Sequence, residues 1–377
     1  MKGSGADTVE VATRRRGIDA LRGLAVVLMM EQHLGVWLWR WPGRGESLAD
    51  YPTLVLLNAL GGAAAPLFVT LAGYGSMLLA QRRQAPDVTL LRRGVVILGF
   101  AYALSLATPS WFTWRSWFVL HLIGASTLLA PVLRRLPNYG LLAAGAAVLW
   151  VSVIAQTLLE TPFPLSNMRM GGWVRGGHGI APTLLDGGLW RLMTFEGHFP
   201  LFPWLAFYML GMVSARLSSA GLPKRQITLG ITLLAAGGTL AALGPAGLGL
   251  LGQHSHLFSR AANVHAPFYP ATPAFVLLLG GGALLAIGGA EHWEKRRGLS
   301  AEAPLVVLGR VSLTLLLLHV VVGRELSRPL GLWRNCSAET TLIVIAASVV
   351  GASLLARRWG RAKHRYGAEW LLRKLAP

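Results

Sequence analysis

Long apolar runs, separated by short polar or basic segments, dominate the chain. A helix needs about 20 mostly apolar residues to cross the hydrocarbon core of a bilayer, and ten runs approach that length. They lie near residues 17–38, 53–80, 91–108, 116–133, 139–159, 199–219, 226–247, 272–290, 303–322 and 340–357. The pattern predicts an all-α, polytopic transmembrane helix bundle of about ten spanning helices. We expect one transmembrane domain over residues 17–357, between an N-terminal tail at 1–16 and a basic tail at 358–377.

Composition and charge support a membrane protein. Of the 377 residues, 53% are hydrophobic and 14% are charged, whereas soluble domains carry about 25% charged residues. The net charge of +19 could indicate nucleic-acid binding, but the basic residues form short clusters between apolar runs. If the N-terminus is cytoplasmic, the cytoplasmic segments hold about twice as many Lys and Arg residues as the outer ones. We therefore predict that both termini are cytoplasmic and that nucleic acid is not a partner.

The first apolar run carries the densest set of titratable side chains. Asp19, Arg22, Glu31 and His33 all lie within it, and ionisable groups inside a bilayer are costly enough to be functional candidates. Asp19, Arg22 and His33 share one stripe of a helix, while Glu31 points to nearly the opposite side. Asp19 and Arg22 are one turn apart and can pair, and His33 lies about 21 Å further along the helix. This stripe, which links the two sides of the membrane, predicts a catalytic role for His33 as a general base.

Several histidines fall at a similar depth to His33 under this topology. His121 and His198 lie at the outer ends of the fourth and sixth helices, and His319 lies near the outer end of the ninth. Any one of them could simply form a hydrogen bond in the bundle core. We expect His33, His198 and His319 to converge on one cavity that is open to the outer side.

Other candidate motifs are weaker. His254 and His256, followed by His265, could hold a metal, but the spacing is loose and no acidic residue flanks it, so we predict no metal site. The single cysteine, Cys336, excludes an intramolecular disulfide. The glycines at residues 171–179 could hold an anion or form a flexible loop.

Aromatic residues at the predicted helix ends indicate interfacial anchors. We interpret the following tryptophans as an outer aromatic belt: Trp37, Trp39, Trp41, Trp111, Trp114 and Trp117. The tail at 358–377 mixes basic residues with Trp359 and Trp370, which predicts an interfacial helix on the inner leaflet. We interpret it as an anchor and not as a site.

Four ordered blocks carry a resemblance to a known family. They are Gly17-Ile18-Asp19-Ala20-Leu21-Arg22-Gly23-Leu24-Ala25 with His33, Pro66-Leu67-Phe68-Val69 with Leu71-Ala72-Gly73, His198-Phe199-Pro200-Leu201-Phe202-Pro203-Trp204 with Leu210-Gly211, and Leu308-Gly309-Arg310-Val311-Ser312-Leu313 with His319. Together they resemble the heparan-α-glucosaminide N-acetyltransferase catalytic-domain family and its bacterial relatives. In animal members the position of His33 looks like asparagine, and a histidine follows in the next loop. Here no histidine occurs between His33 and His121, which leaves open a different role for that position.

The resemblance implies a transmembrane acyltransferase in the inner (plasma) membrane of a bacterium. It would move an acetyl or other short acyl group from cytoplasmic acyl-CoA to an amino or hydroxyl group of an extracytoplasmic sugar or glycan. Acetyl-CoA or another acyl-CoA would be a co-substrate, with no permanently bound cofactor. His33 would be the base or a transient acyl carrier, and direct transfer and an acyl-enzyme mechanism both remain open.

The resemblance and the charge pattern together give a set of candidate site residues. We expect the catalytic residues to be His33, Asp19 and Arg22. We expect the substrate-binding residues to be His198, Arg310, Ser312 and His319. Donor phosphates need positive charge at the cytoplasmic mouth, and the candidates there are Arg82, Arg83, Arg92 and Arg93.

Two other classes of function remain open. A non-catalytic transporter or flippase for a sugar or lipid-linked sugar would also place polar groups at membrane depth. A bundle that only scaffolds partners would leave the charged stripe of the first helix unexplained. The expected partners are acyl-CoA, a sugar or glycan acceptor and membrane lipid, and the sequence leaves open whether the chain forms a homodimer.

Overall fold

The protein is described by a computed structural model over residues 15–114, 116–159, 161, 188–251, 256–264 and 269–377. Within these ranges it is all-α, which confirms the predicted class, and the only strand-like feature there is an isolated bridge between Trp39 and Cys336. The helices are α1 Arg16–Leu38, α2 Pro52–Gly61, α3 Ala64–Arg82, α4 Pro86–Ala107, α5 Val119–Leu133, α6 Asn138–Leu158, α7 Gly188–Thr194, α8 Leu201–Ser219, α9 Pro223–Leu251, α10 His256–Ala262, α11 Pro273–Arg297, α12 Pro304–Arg310, α13 Ser312–Val320, α14 Ala338–Gly360 and α15 Ala368–Leu375.

Each of the ten predicted runs corresponds to a helix or to a pair of helices, but fewer qualify as membrane spans. In the described ranges, seven helices are long and apolar enough to cross a bilayer, or eight if one bent pair counts as a single span. The expected number of about ten is therefore somewhat high. Two runs make the difference: α1 contains Asp19, Arg22 and Glu31, and α5 has only 15 residues.

The ninth predicted run is not one continuous helix. It consists of α12 and the stretch Ser312–Leu326, which meet at a bend of 79°. Val311 at the break has φ −122° and ψ 25°, outside the helical region, so α13 begins inside the bundle. The prediction of a single helix over 303–322 is therefore wrong at this point.

The centre of the bundle is α8, which packs against α3, α6 and α11. Of its most apolar 18-residue window, 78% is buried within the protein, against 11% for α14. Trp204, Phe207 and Tyr208 of α8 are fully buried. A helix that faces lipid can expose apolar side chains at no hydrophobic cost, so α14 is peripheral and α8 is the core of the fold.

Glycines allow α1 and α12 to cross with their backbones in contact. A Cβ atom at Gly23 would lie 1.9 Å from the carbonyl oxygen of Leu305, and one at Gly309 would lie 1.7 Å from that of Asp19. No other residue fits at so close an approach. The crossing brings Asp19 and Arg22 of α1 next to Arg310 of α12.

Both ends of the described chain lie on the same side of the bundle, because Arg22 near the start of α1 and Arg373 near the end of the chain line one cavity. We name this side the terminus side. The backbone N–H of Gly17 donates to Glu294 at the end of α11 (2.8 Å), and Arg93 Nε donates to the carbonyl of Ala376 (3.4 Å). The other end of α1 is bonded to residues 334–336 on the opposite side. The position of a residue along α1 therefore gives its depth in the bundle.

Candidate active site

A pair of histidines lies in the half of α1 that is remote from the termini. His33 Nδ1 is 2.8 Å from His319 Nε2, and the two rings are stacked with centroids 5.1 Å apart. His319 Nδ1 is 3.0 Å from the carbonyl oxygen of Leu315. Because that oxygen only accepts, His319 is protonated at Nδ1 and accepts at Nε2 from the Nδ1–H of His33. The pair therefore leaves His33 Nε2 as a lone pair that can take up a proton.

Two tryptophans hold the ring of His33. Trp37 stacks on it with centroids 4.9 Å apart, and Trp111 meets it edge-on at 5.8 Å. Trp37 is 2% exposed, so its assignment to an outer aromatic belt is wrong, and Trp111 also faces inward onto Trp37. Trp37 follows His33 by four residues and so falls on the same helix face, a signal that was present in the sequence.

These rings border a cavity of about 360 Å³, which we name the histidine cavity. His33, His198 and His319 all line it, as the sequence predicted for a shared cavity. Among the described residues, nine aromatic side chains other than histidine line it: Trp37, Phe68, Trp111, Phe112, Phe118, Phe199, Trp204, Tyr269 and Phe275. The cavity is therefore mostly apolar, with a few polar groups that could orient a ligand.

His198 occupies a different wall of this cavity from the histidine pair. Its ring packs edge-on against Tyr269 with centroids 4.5 Å apart. Desolvation lowers the pKa of His198 below its usual range, so the ring is neutral near pH 7. His121 does not line the cavity and packs among Tyr102, Trp117 and Phe118.

A second cavity, of about 330 Å³, lies towards the terminus side, and we name it the arginine cavity. Arg22, Arg93, Arg310 and Arg373 line it, with Glu369 as the only acidic residue among its described lining residues. The four cations outnumber the two carboxylates nearest to them, those of Glu369 and of the buried Asp19, so this cavity is electropositive. Such a site suits a ligand that carries several phosphate groups.

Asp19 fixes two of these arginines. Arg22 Nη1 lies 3.3 Å from Asp19 Oδ1, as their spacing predicts, and Arg310 Nε lies 3.9 Å from Asp19 Oδ2. Asp19 is 1% exposed at the crossing of α1 and α12. The carboxylate therefore sets the positions of the two guanidinium groups and does not itself line either cavity.

Two described side chains are common to the linings of both cavities, and we name this pair the partition. Phe68 of α3 and Leu316 of α13 line both of them. Leu316 lies one helical turn before His319 and one turn after Ser312, which lines the arginine cavity. A group that reaches the partition from the arginine cavity is therefore close to the histidine pair.

Comparison with known families decides the identity of the bundle. The family model described as heparan-alpha-glucosaminide N-acetyltransferase, catalytic, matches residues 14–254, which is more than half of the chain. The chain belongs to this family. With its apolar helices, it is a multi-pass membrane acyltransferase. Comparison with individually curated proteins gives no match.

The match to the heparan-alpha-glucosaminide N-acetyltransferase family covers only part of the site. His33, Arg22 and His198 lie within the matched region, whereas Arg310 and His319 lie beyond it. Both cavities nevertheless combine residues from the matched and unmatched parts. The helices after residue 254 are therefore structural components of the same site.

The structure divides the other predicted site residues between the two cavities. Arg310 and Ser312, expected with His198 and His319, line the arginine cavity instead. Arg93 lines it too, whereas Arg82, Arg83 and Arg92 are exposed and do not appear among its described lining residues. A donor-binding role for those three stays a prediction. The remaining motif residues, His254, His265 and the glycines of 171–179, lie outside the described residues, as does the side chain of His256.

Sequence reasoning missed the contribution of the C-terminal tail. Glu369, Leu372 and Arg373 of α15 line the arginine cavity. An interpretation of the tail as an interfacial anchor alone is therefore incomplete for residues 368–375. The sequence signal was an acidic residue, Glu369, at the start of a short amphipathic helix, but its partner is 55 residues away.

Replacing Asp19 by Ala is expected to destabilise the protein by about 2–3 kcal/mol, because Arg22 and Arg310 would lose their shared carboxylate. Thermal unfolding in detergent would measure the loss, and Asp19→Asn should lose less. Glu302→Ala provides the control, since Glu302 pairs with Arg357 at 3.6 Å on the surface, where a pair contributes about 1 kcal/mol or less. Equal melting temperatures for Asp19→Ala and Glu302→Ala would contradict the structural role of Asp19.

Proposed function

We propose that the protein transfers an acyl group from cytoplasmic acyl-CoA, bound in the arginine cavity, to an acceptor bound in the histidine cavity. The acceptor would be an amino or hydroxyl group of an extracytoplasmic sugar or glycan. One observation carries the proposal: a cationic cavity and a histidine cavity meet at Phe68 and Leu316. A thioester that reaches this partition would lie beside the base that activates the acceptor.

The distribution of basic residues supports the binding of a cytoplasmic acyl donor on the terminus side. The excess of Lys and Arg in segments on the terminus side favours a cytoplasmic location for that side, which is where acyl-CoA is made. The phosphates of coenzyme A would bind near Arg22, Arg93 and Arg310 through charge-assisted hydrogen bonds. The thin pantetheine arm would then extend past Ser312 towards Leu316.

The histidine pair supplies the base. His33 Nε2 would take the proton from the acceptor nucleophile as that atom attacks the thioester carbonyl. The new acyl–O or acyl–N bond forms as the carbon–sulfur bond breaks, and coenzyme A leaves as a thiol after it receives the proton. His319 Nε2 would hold the ring of His33 and stabilise its protonated form, as an orienting group does in other nucleophile-and-base sites.

The same atoms permit a two-step variant. His33 Nε2 could attack the thioester first and carry the acyl group as an acyl-imidazole, which the acceptor would then attack. In both variants the acceptor would bind among Trp37, Trp111 and Tyr269, which contribute to the mostly apolar lining of the histidine cavity. The polar atoms of His198 would help to orient it.

Sealed vesicles test this function directly. Labelled acetyl-CoA would be supplied on the side of the termini, and a panel of amino sugars and neutral sugars, beginning with glucosamine, on the other side. We expect label to appear on an acceptor while coenzyme A remains on the donor side. A transporter or flippase would instead move the sugar without consuming acetyl-CoA. That result, together with no thioester cleavage for any acceptor, would overturn the proposal.

A further inference from the structure

The last helix of the chain, α15, closes one side of the arginine cavity. Its residues Glu369, Leu372 and Arg373 line the cavity together with Arg22 and Arg93. The helix lies far beyond the family match, which ends at residue 254. Neither the family match nor the proposed chemistry assigns this helix a role.

Glu369 fastens α15 to the start of α13. Its Oε1 accepts from the backbone N–H groups of Leu313 (2.6 Å) and Thr314 (3.1 Å), and its Oε2 accepts from the Thr314 hydroxyl (2.6 Å). The Thr314 hydroxyl oxygen in turn accepts from the N–H of Ala368 (2.8 Å). The residue before α13, Val311, offers no side-chain cap. Glu369 therefore acts as the N-cap of α13 from the other end of the sequence, and its charge suits the positive end of that helix.

The other end of α15 is held by α4. Arg93 Nε donates to the carbonyl of Ala376 (3.4 Å), so α15 is fastened at both ends across the cavity. The neighbouring lysine, Lys374, lies over the ring of Trp370 at 5.2 Å and does not line the cavity. The two adjacent cations of α15 therefore have different surroundings, and only Arg373 is directed to the cavity.

The four arginines that line the arginine cavity differ in the groups that they bind. Arg22 and Arg310 share the carboxylate of Asp19, and Arg93 binds a backbone carbonyl. Arg373 is exposed, and no carboxylate of the described residues forms an ion pair with it. An unmatched, solvent-accessible guanidinium at the mouth of an electropositive cavity is suited to bind a phosphate that remains partly hydrated.

We propose that the C-terminal helix is part of the acyl-CoA site, in which Arg373 binds a phosphate of the donor and Glu369 is a positioning residue that holds the helix in place. The inference rests on the proposed function, because it takes the occupant of the arginine cavity to be acyl-CoA. The tail is then a component of donor recognition in addition to any contact it makes with lipid. Its anchoring to α13 also links donor binding to the helix that carries His319.

The first test compares two neighbouring charge losses, Arg373→Gln and Lys374→Gln. The probe is coenzyme A itself, which binds without reacting, and its affinity would be measured by calorimetry on the full-length protein in detergent. Arg373→Gln is expected to weaken binding about tenfold, the loss typical of one charge-assisted hydrogen bond, and to raise KM for the acyl donor without lowering kcat. Lys374→Gln is expected to bind like the wild type.

The second test addresses Glu369. Glu369→Gln is expected to raise the donor KM as Arg373→Gln does. It should also speed tryptic cleavage at the exposed residues Arg361, Lys363 and Arg365, because the segment that leads into α15 would be less firmly held, and Arg373→Gln should not have this effect. Wild-type protein that binds coenzyme A, with equal affinities in Arg373→Gln and Lys374→Gln, would overturn this inference and leave the proposed function intact. Failure of the wild type to bind coenzyme A at all would overturn both.

Discussion

Replacing His33 by Ala is expected to lower the rate of acyl transfer by about three orders of magnitude, which is the middle of the range for a lost general base. Either chemical route requires Nε2 of this ring, because the Nδ1–H is engaged by His319 at 2.8 Å. Binding of coenzyme A should be unchanged, since His33 does not line the arginine cavity. Transfer measured with labelled acetyl-CoA, beside coenzyme A binding, separates the two effects.

Two comparisons make this prediction specific. His292→Ala removes an exposed histidine near the end of α11 and is expected to leave transfer at the wild-type rate. His319→Asn retains an oxygen that can accept from His33 Nδ1–H, so it should keep more activity than His319→Ala. Transfer by His33→Ala at the rate of His292→Ala would show that the pair is structural and has no catalytic role.

The sequence could predict which residues of one helix share a face, because the helical period alone decides this. The stripe that joins Asp19, Arg22 and His33 is such a case, and Asp19 and Arg22 are paired in the structure. Trp37 could have been added to that stripe, since it follows His33 by four residues. Trp111, which meets the same ring from a loop 78 positions further along, had no local signal.

The bend at Val311 could not be predicted from the apolar pattern. The run over 303–322 is mostly apolar on both sides of Arg310, and its break accompanies the close crossing of α1 and α12 at Gly23 and Gly309. This crossing is a tertiary contact between distant segments, and it places Arg310 and Ser312 at the arginine cavity instead of near His198. The position of Glu369 at the start of α13 depends on a similarly distant pairing, which residue spacing does not encode.

Enlarging Leu316, one of the two residues of the partition, is expected to lower the rate of acyl transfer. Leu316→Trp would fill the space between the arginine cavity and the histidine pair, so that a thioester could no longer reach His33. We expect transfer to fall by about a hundredfold, as when reacting groups are kept out of contact, while coenzyme A still binds. Leu316→Ala would instead widen the partition and admit water to the thioester. We therefore expect this variant to hydrolyse acetyl-CoA faster than the wild type when no acceptor is present.

Leu318→Trp is the matched control, because Leu318 lies on the same helix but is 52% exposed on the outside of the bundle. The same enlargement there should leave both transfer and hydrolysis unchanged. A thermal unfolding measurement on both variants is needed, since an enlarged side chain in a packed interior costs about 1–3 kcal/mol. If a folded Leu316→Trp protein transfers as fast as Leu318→Trp, then the acyl group does not pass between Phe68 and Leu316. In that case the two cavities serve separate ligands, and the histidine pair must act on something other than a thioester from the arginine cavity.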